Sequence, residues 1–421
     1  MRLSSLVSFG SKRNGLQRSG ASRRRFLQLG GAIGGALAAL RPGTAHAQAP
    51  AGGRTLGAPV RPYGERSSYE KAARLTRNPR HPQASSTLTP LHELHGSITP
   101  SSLHFERHHA GVPDIDPATH ELTVHGLVDR PLVFTVDELK RLPSVSRVYF
   151  LECSGNSGTA WRGVAESDAQ RGHGLTSCSE WTGVPLAVLL REAGLQPDAA
   201  WVVAEGADAG RMARSLPLEK ALSDTLVAYG QNGEALRPEQ GYPVRLFVPG
   251  WEGNISVKWL RRLHVVDRPY MTRDETSKYT DLMPDGRARQ FTFVMEAKSV
   301  ITQPSPGRRL PGPGFHEIRG LAWSGRGKIA RVEVSTDGGR TWQTARLQEP
   351  PGPLAHTRFC LDWVWRGDEA VLQSRCVDET GYVQPSRAAL IEARGRNSNY
   401  HNNGIQSWKV QPDGSVAHVE V

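Results

Sequence analysis

A change of periodicity near residue 296 constrains the fold of this chain more than any other feature. Residues 328–336 largely alternate between apolar and polar types, and Asp337-Gly338-Gly339 follows as a hairpin-turn signal. Short apolar runs at 362–365 and 370–376 continue the pattern. Period-two alternation interrupted by closely spaced turns is typical of short antiparallel strands. We therefore predict an immunoglobulin-like β-sandwich over residues 296–421.

The segment before this region mixes strand and helix signals. Residues 120–126 and 147–152 read as strands, whereas 181–193 reads as a turn followed by a short helix. The mixture predicts an α+β domain over residues 89–292. Residues 48–88 are polar, basic and rich in Pro, Gly and Ser, which indicates an extended arm or linker.

Residues 1–47 are predicted to be a signal peptide. Arg23-Arg24-Arg25 precedes a weakly apolar stretch at 29–40, and Ala45-His46-Ala47 resembles a cleavage site. The stretch is shorter than the roughly 20 residues that span a bilayer, so no membrane span is predicted. The paired arginines favour twin-arginine export of a folded protein to the periplasm over general secretion. Such export is common among proteins that receive a complex cofactor first.

The net charge of +11 is concentrated in this leader. Residues 1–47 hold 8 of the 52 Lys and Arg residues and none of the 41 acidic ones, so the remainder carries 44 − 41 = +3. A nearly neutral remainder gives no reason to expect a nucleic-acid partner. The 4 cysteines form no CxxCH or zinc-type spacing, which argues against covalent haem and structural zinc.

Cys153 is the strongest candidate for chemistry. It follows the predicted strand 147–152, and a loop of Gly, Asn and Ser follows at 154–158. A thiol at a strand end, beside backbone that a bulky group can approach, suits a soft metal centre. An inert core cysteine is the ordinary alternative for such a residue.

Further segments make the metal interpretation specific. They are Phe105–His109, Glu205–Asp208, Gly241-Tyr-Pro-Val-Arg245, Val248-Pro-Gly250 and Ser256–Leu260. Their order and spacing resemble the sulfite oxidase family, whose members carry Phe-x-Arg-Asn-His, Cys-x-Gly-Asn and Gly-[Tyr/Phe]-Pro-Val-Arg…Val-Pro-Gly…Val-Lys-Trp-Leu motifs. With the sandwich, which resembles the family's dimerisation domain, the resemblance covers about residues 90–421.

The resemblance implies one Mo-molybdopterin per chain, with Cys153 as the thiolate ligand of the metal; molybdenum and tungsten are not distinguished by sequence. It implies catalytic roles for Arg107, Tyr279 and Arg394, the last contributed by the C-terminal domain. The residues expected to hold the cofactor are Phe105, Arg107, His108, His109, Asp208, Gln240, Arg245, Ser256, Val257 and Lys258. The cations among them suit the anionic phosphate of the pterin.

Departures from the family pattern bear on the substrate. Gly158 stands where family sulfite oxidases have an arginine, His108 where Asn is usual and Gln240 where a His is frequent. A glycine at 158 predicts a wider mouth, less adapted to anions. Four segments, 156–161, 173–181, 276–281 and 401–408, resemble the sulfane dehydrogenase branch of the family.

That branch implies oxidation of the sulfane sulfur on a carrier protein that bears a cysteine persulfide, with electrons passed to a dihaem c-type cytochrome. A homodimer through the C-terminal domain is also implied. The first alternative is a sulfite:cytochrome c dehydrogenase that acts on free sulfite. Two others are a reductase of oxidised methionine, whose branch usually lacks the sandwich, and an exported binding protein without chemistry.

Overall fold

A computed structural model of the chain describes residues 57–77, 81–163 and 167–421. The predicted signal peptide lies outside these residues, as does the beginning of the predicted arm. The chain divides into two units after Ser67, and residues 68–421 contain all the elements named below.

The strands of the first half are β1 (Leu75–Thr76), β2 (Ser86–Leu88), β3 (Glu106–Arg107), β4 (Glu121–Gly126), β5 (Leu132–Thr135), β6 (Val145–Glu152), β7 (Thr176–Pro185), β8 (Trp201–Gly206), β9 (Ala213–Pro217), β10 (Leu226–Gln231), β11 (Glu234–Ala235), β12 (Arg245–Phe247), β13 (Leu260–Val266), β14 (Asp281–Leu282) and β15 (Ala288–Arg289). The helices between them are α1 (Val136–Arg141), α2 (Ala169–His173), α3 (Leu186–Ala193), α4 (Leu218–Ser223) and α5 (Arg273–Thr276).

The second half contains β16 (Lys298–Gln303), β17 (Gly314–Trp323), β18 (Ile329–Ser335), β19 (Gln343–Thr344), β20 (Arg346–Leu347), β21 (Thr357–Trp365), β22 (Ala370–Asp378), α6 (Arg387–Arg394), β23 (Ser407–Val410) and β24 (Val416–Val419). Single 3-10 turns lie at Ser101–Leu103, Gly158–Arg162 and Pro238–Gln240.

Two sheets organise the first domain. One has the order β5-β4-β13-β8-β9, with β4 and β13 parallel, and the other has the order β11-β10-β7-β6, with β12 paired to β10. The apolar face of α3, which carries Leu186, Leu189 and Leu190, packs in the same core as Val124 and Leu263 of the first sheet. Strands and helices therefore share one core, as the prediction of an α+β domain requires.

The second domain is a sandwich of two antiparallel sheets, ordered β16-β17-β21-β20 and β19-β18-β22-β23-β24. Their inner faces meet in a core that includes Ile318 and Trp323 from one sheet and Val332, Leu372 and Trp408 from the other. In β18 the buried Val332 and Val334 flank the half-buried Glu333, which matches the period-two pattern of the sequence. The predicted β-sandwich is confirmed.

The predicted arm is not a linker throughout. β1 pairs with β2, and β2 pairs with β3, so a three-stranded sheet connects residues 75–88 to Glu106 and Arg107. The polar composition of this segment hid the strands because each is only two or three residues long.

A buried polar cluster joins the two domains beside Cys153. The carboxylate of Glu152, the last residue of β6, accepts hydrogen bonds from Lys298 Nζ at 2.8 Å and from Trp323 Nε1 at 2.6 Å. Asn156 Nδ2 donates to the same carboxylate at 2.9 Å. The sandwich therefore fixes the end of the strand that carries the cysteine.

Candidate active site

A cavity of about 670 Å³, including space open to solvent, lies where β3, β6 and the segments around β12 converge. The predicted residues that line it are Phe105, Arg107, His108, His109, Cys153, Asp208, Gln240, Arg245, Ser256, Val257, Lys258 and Tyr279. These residues come from segments far apart in sequence, and the fold brings them together around one space.

Cys153 occupies one end of this cavity. Its backbone N–H donates to Leu175 O at 3.0 Å, which extends the β6–β7 pairing by one residue. Gly253 packs behind it, where an added Cβ would lie 2.8 Å from Glu152 O, so only glycine fits. Burial raises the pKa of the Cys153 thiol, while a backbone hydrogen bond from Gly155 and the charge of Arg107 oppose that rise. A bound metal ion would displace the proton.

Two cations project into the cavity from its other side. Arg245 is 2% exposed, and its guanidinium donates to Gln240 O at 3.0 Å and Ser256 O at 2.9 Å. Burial lowers the pKa of Arg245 to about 9. The Lys258 ammonium donates to Glu239 O and to His108 Nδ1, each at 2.9 Å. Burial, followed by the Arg245 charge, lowers the pKa of Lys258 well below its usual value.

Neither cation has a carboxylate within ion-pair distance among the residues that the structure describes. Buried charge without a counter-ion is costly, so this pair of cations matches an anionic ligand. The buried Asp208 carboxylate can accept N–H groups of a pterin ring, and Cys153 supplies a soft donor. These residues fit a phosphorylated, metal-bearing pterin.

His108 is held by a separate network. Its Nε2 lies 2.6 Å from Glu106 Oε2, and Arg74 Nη1 lies 3.3 Å from Glu106 Oε1. Burial acts to raise the pKa of Glu106, but the His108 hydrogen bond and the Arg74 charge outweigh it and bring the pKa to about 2. Glu106 is therefore ionised and orients the His108 ring, with Nδ1 free to accept from Lys258.

Tyr279 lies beside the metal end of the cavity. Its hydroxyl is 2.6 Å from His109 Nε2, and the Arg214 guanidinium stacks 5.2 Å from its ring centroid. Its φ of 52° is rare for a bulky residue, and such backbone strain is typical of functional positions. Burial raises the pKa of Tyr279, so it stays a phenol. Burial and the nearby Arg107 and Lys278 charges lower the pKa of His109 to about 3, so its ring is neutral.

A second opening of about 670 Å³ shares Arg107, His109, Cys153 and Tyr279 with the cavity. We call this opening the mouth; its other lining residues are Arg77, Ser86, Gly155, Leu175, Lys278 and Tyr400. Cys153 thus lies at the junction of an inner cavity and an outer mouth. A group held in the cavity with its metal at Cys153 would face the mouth.

The structure does not bring Arg394 to either space. This residue ends α6, and its guanidinium lies 3.7 Å from an Asp281 oxygen and 3.9 Å from a Glu296 oxygen. The two carboxylates neutralise its charge away from the residues that line the cavity and the mouth.

The structure gives Gly158 a packing role, and the wider mouth predicted from it stays a prediction. Gly158 is absent from the described lining, and a Cβ built on it would lie 3.0 Å from Asn399 O. The glycine thus accommodates the segment around residue 399. The mouth was predicted to be less adapted to anions, but three cations line it: Arg77, Arg107 and Lys278.

Sequence reasoning did not identify several residues of the site. Arg214 is fully buried. It is the one charged residue of β9, and this feature of the sequence could have identified it. Lys278 lies inside a recognised segment and Tyr400 adjoins another, whereas Arg77 lies where composition indicates a linker. Among the described residues, no group of three or more His, Cys, Asp or Glu side chains could hold a metal, and no helix is long and apolar enough to cross a membrane.

Comparison with known proteins agrees with this geometry. Residues 109–273 match the oxidoreductase molybdopterin binding domain, and residues 289–408 match the Mo-co oxidoreductase dimerisation domain. Sulfite oxidase of Gallus gallus is 34% identical over 319 residues, which are 70% of this chain and 69% of that protein. NADH nitrate reductase of Ulva prolifera is 34% identical over 59% of this chain, and the match spans only 32% of that longer protein.

A solved structure gives a more extensive match. The sulfane dehydrogenase SoxCD from Paracoccus pantotrophus superimposes with a TM-score of 0.86 at 50% sequence identity, covering 89% of this chain and 98% of that one. Matched domains, relatives and site residues all indicate the same cofactor, Mo-molybdopterin. The chain belongs to the sulfite oxidase family of molybdopterin oxidoreductases.

Proposed function

We propose that this protein is a periplasmic sulfane dehydrogenase subunit. It oxidises sulfane sulfur held as a cysteine persulfide on a carrier protein, and it passes electrons to a SoxD-like dihaem c-type cytochrome. The observation that carries the proposal is the 50% identity to the sulfane dehydrogenase SoxCD over 89% of the chain. Identity to the sulfite oxidase of Gallus gallus is 34%.

When bound, molybdopterin supplies a molybdenum centre that exchanges an oxygen atom and two electrons with a substrate sulfur. The chain provides position and charge. Arg245 and Lys258 would bind the anionic end of the cofactor, and Cys153, which lines both the cavity and the mouth, would bind its metal. Each oxygen atom added to sulfur derives from one water molecule. Two protons pass to solvent and two electrons pass to the cytochrome.

Arg107 and Tyr279 act on the substrate from the junction of cavity and mouth. The Arg107 guanidinium stabilises negative charge that develops on a sulfur-bound oxygen. The Tyr279 phenol remains protonated and donates a hydrogen bond in the same region, oriented by the neutral His109 ring.

The electron acceptor is proposed to be a separate c-type cytochrome, because the matched sulfane dehydrogenase is the complex SoxCD. Periplasmic location is proposed from the twin-arginine pattern in residues 1–47. A homodimer is proposed from the match of residues 289–408 to a dimerisation domain.

A second candidate is oxidation of free sulfite. The three cations of the mouth favour it, since they suit a small sulfur oxyanion. With the same cytochrome as electron acceptor, the first function predicts a preference for the persulfide carrier and the second predicts a preference for free sulfite.

Turnover separates the two candidates. Holoenzyme purified with its cytochrome is assayed for cytochrome reduction with a persulfide-loaded carrier and with free sulfite. We expect kcat/KM for the carrier to exceed that for sulfite by at least tenfold, about 1.4 kcal/mol of transition-state discrimination. Preference for free sulfite would instead assign the protein to the sulfite dehydrogenase branch.

A further inference from the structure

Arg77 enters the mouth from outside the segment that matches the molybdopterin-binding family model, which begins at residue 109. It directly follows β1, where its backbone N–H donates to Ser86 O at 3.0 Å and its carbonyl accepts from Ser85 Oγ at 3.1 Å. Since β2 pairs with β3, this sheet aligns Arg77 with Arg107 at the same opening. The backbone position of Arg77 is therefore set by strand pairing.

The side chain of Arg77 is half-buried and points to the reactive end of the site. One guanidinium nitrogen donates to Arg171 O at 3.2 Å, a single neutral acceptor. Burial lowers the pKa of Arg77, the Cys153 charge opposes this, and Arg107 and Arg171 add to the lowering. The guanidinium shares the lining of the mouth with both Cys153 and Arg107.

The mouth collects positive charge that the described protein does not neutralise. Arg77, Arg107 and Lys278 line it, and none of its described lining residues is a carboxylate. Arg107 donates to the backbone carbonyls of His108 and Ser85, and Lys278 Nζ lies 3.5 Å from His109 Nδ1. Within the residues that the structure describes, Arg77, Arg107 and Lys278 form no ion pair. Three half-buried cations around one opening form a receptor for an anion.

We infer that Arg77 is a substrate-binding residue supplied by the N-terminal arm, which together with Lys278 binds the anionic sulfur group that approaches Cys153. This inference deepens the proposed function and rests on it for the identity of the substrate. The ligand class is an anionic sulfur species: the terminal sulfur of a persulfide, its oxygenated products, or a free sulfur oxyanion.

Inorganic sulfate is the probe, because its binding can be measured by calorimetry on the holoenzyme without turnover. We expect Arg77→Ala to weaken sulfate binding about tenfold or more, as for the loss of one charge-assisted contact. Arg77→Lys should recover part of the affinity. Molybdenum content and melting temperature should stay at wild-type values. With the sulfur substrate, KM should rise about tenfold while kcat changes less than about threefold.

Arg171→Ala is the matched control. It removes a neighbouring exposed cation that does not line the mouth, and it keeps the carbonyl that Arg77 uses. Sulfate affinity should change less than about threefold. Unchanged sulfate affinity in Arg77→Ala, an equal loss in Arg171→Ala, or no saturable sulfate binding by the wild type would overturn the inference. Because the assay needs no turnover, these outcomes are independent of whether carrier or free sulfite is the substrate.

Discussion

Burial of the Arg245 charge destabilises the folded protein, but the charge is needed to bind an anionic ligand. Its guanidinium is 2% exposed, lies 5.1 Å from the Trp181 ring centroid and bonds only to backbone carbonyls. An anion in the cavity would supply the missing counter-charge. The pKa of Arg245, although lowered to about 9, still leaves it charged at neutral pH.

Replacement of Arg245 by Met should therefore reduce the affinity for the pterin more than it affects folding. Loss of charge-assisted hydrogen bonds, worth roughly 1.5–3 kcal/mol, predicts at least a tenfold drop in retained pterin after gel filtration. Arg262→Met serves as the control, because the half-buried Arg262 pairs with Glu205 and does not line the cavity. Full pterin content in Arg245→Met would contradict the assigned role.

The residues that sequence analysis located are those fixed by local motifs. Arg245 and Lys258 belong to one sequence motif, which forms strand β12 and the turn that follows it. Arg77 and Arg214 were missed because their placement depends on pairing between distant strands, which periodicity does not encode. Arg394 was assigned to the site from a weak local likeness, and the carboxylates of Asp281 and Glu296 hold it elsewhere.

Strand β6 is the element on which the site depends. Its last residue, Glu152, is 1% exposed and forms an ion pair with Lys298 of β16, also 1% exposed. The pair links two elements that the sequence assigned to separate domains. Each domain was predictable from its own periodicity, but the buried contact between them was not.

Lys298→Met should be strongly destabilising because it leaves the Glu152 carboxylate buried without its cation. A cost of roughly 3–5 kcal/mol in the free energy of unfolding is expected from removal of one partner of a buried pair. The surface pair Arg326–Glu296 provides the comparison, since its side chains are 41% and 22% exposed. Arg326→Met should cost about 0–1 kcal/mol.

Urea denaturation of both variants measures the difference. Because Glu152 precedes Cys153, molybdenum content should also fall in Lys298→Met and stay normal in Arg326→Met. Equal unfolding free energies in the two variants would show that the buried cluster does not hold the domains together.

Across the described parts of the molecule, several buried or half-buried histidines are uncharged. Burial is the largest cause in each case: it lowers the pKa of His104, His109 and His356 to about 3, and that of His173 well below its usual value. The folded-state pKa values lie below that of the unfolded chain. Their contribution to stability is therefore complete above about pH 6.5 and is lost as the pH falls toward 3.

The melting temperature should consequently fall steadily below about pH 6.5, with up to ~1.4 kcal/mol lost per pH unit for each such histidine. His356→Phe should make this decline shallower, because Phe fills the stack between Phe150 and Trp323 and binds no proton. Thr176 keeps its hydrogen bond to Leu151 O in that variant. A pH-independent melting temperature between 7.5 and 5 would refute this account.

The central claim is that Cys153 places a molybdenum ion at the junction of a pterin cavity and a substrate mouth. X-ray absorption at the molybdenum edge of the purified holoenzyme tests it most directly by counting sulfur neighbours. The account predicts that Cys153→Ser retains the pterin and loses one Mo–S neighbour relative to the wild type, with activity reduced by at least about 100-fold. An unchanged number of sulfur neighbours in Cys153→Ser would contradict the account.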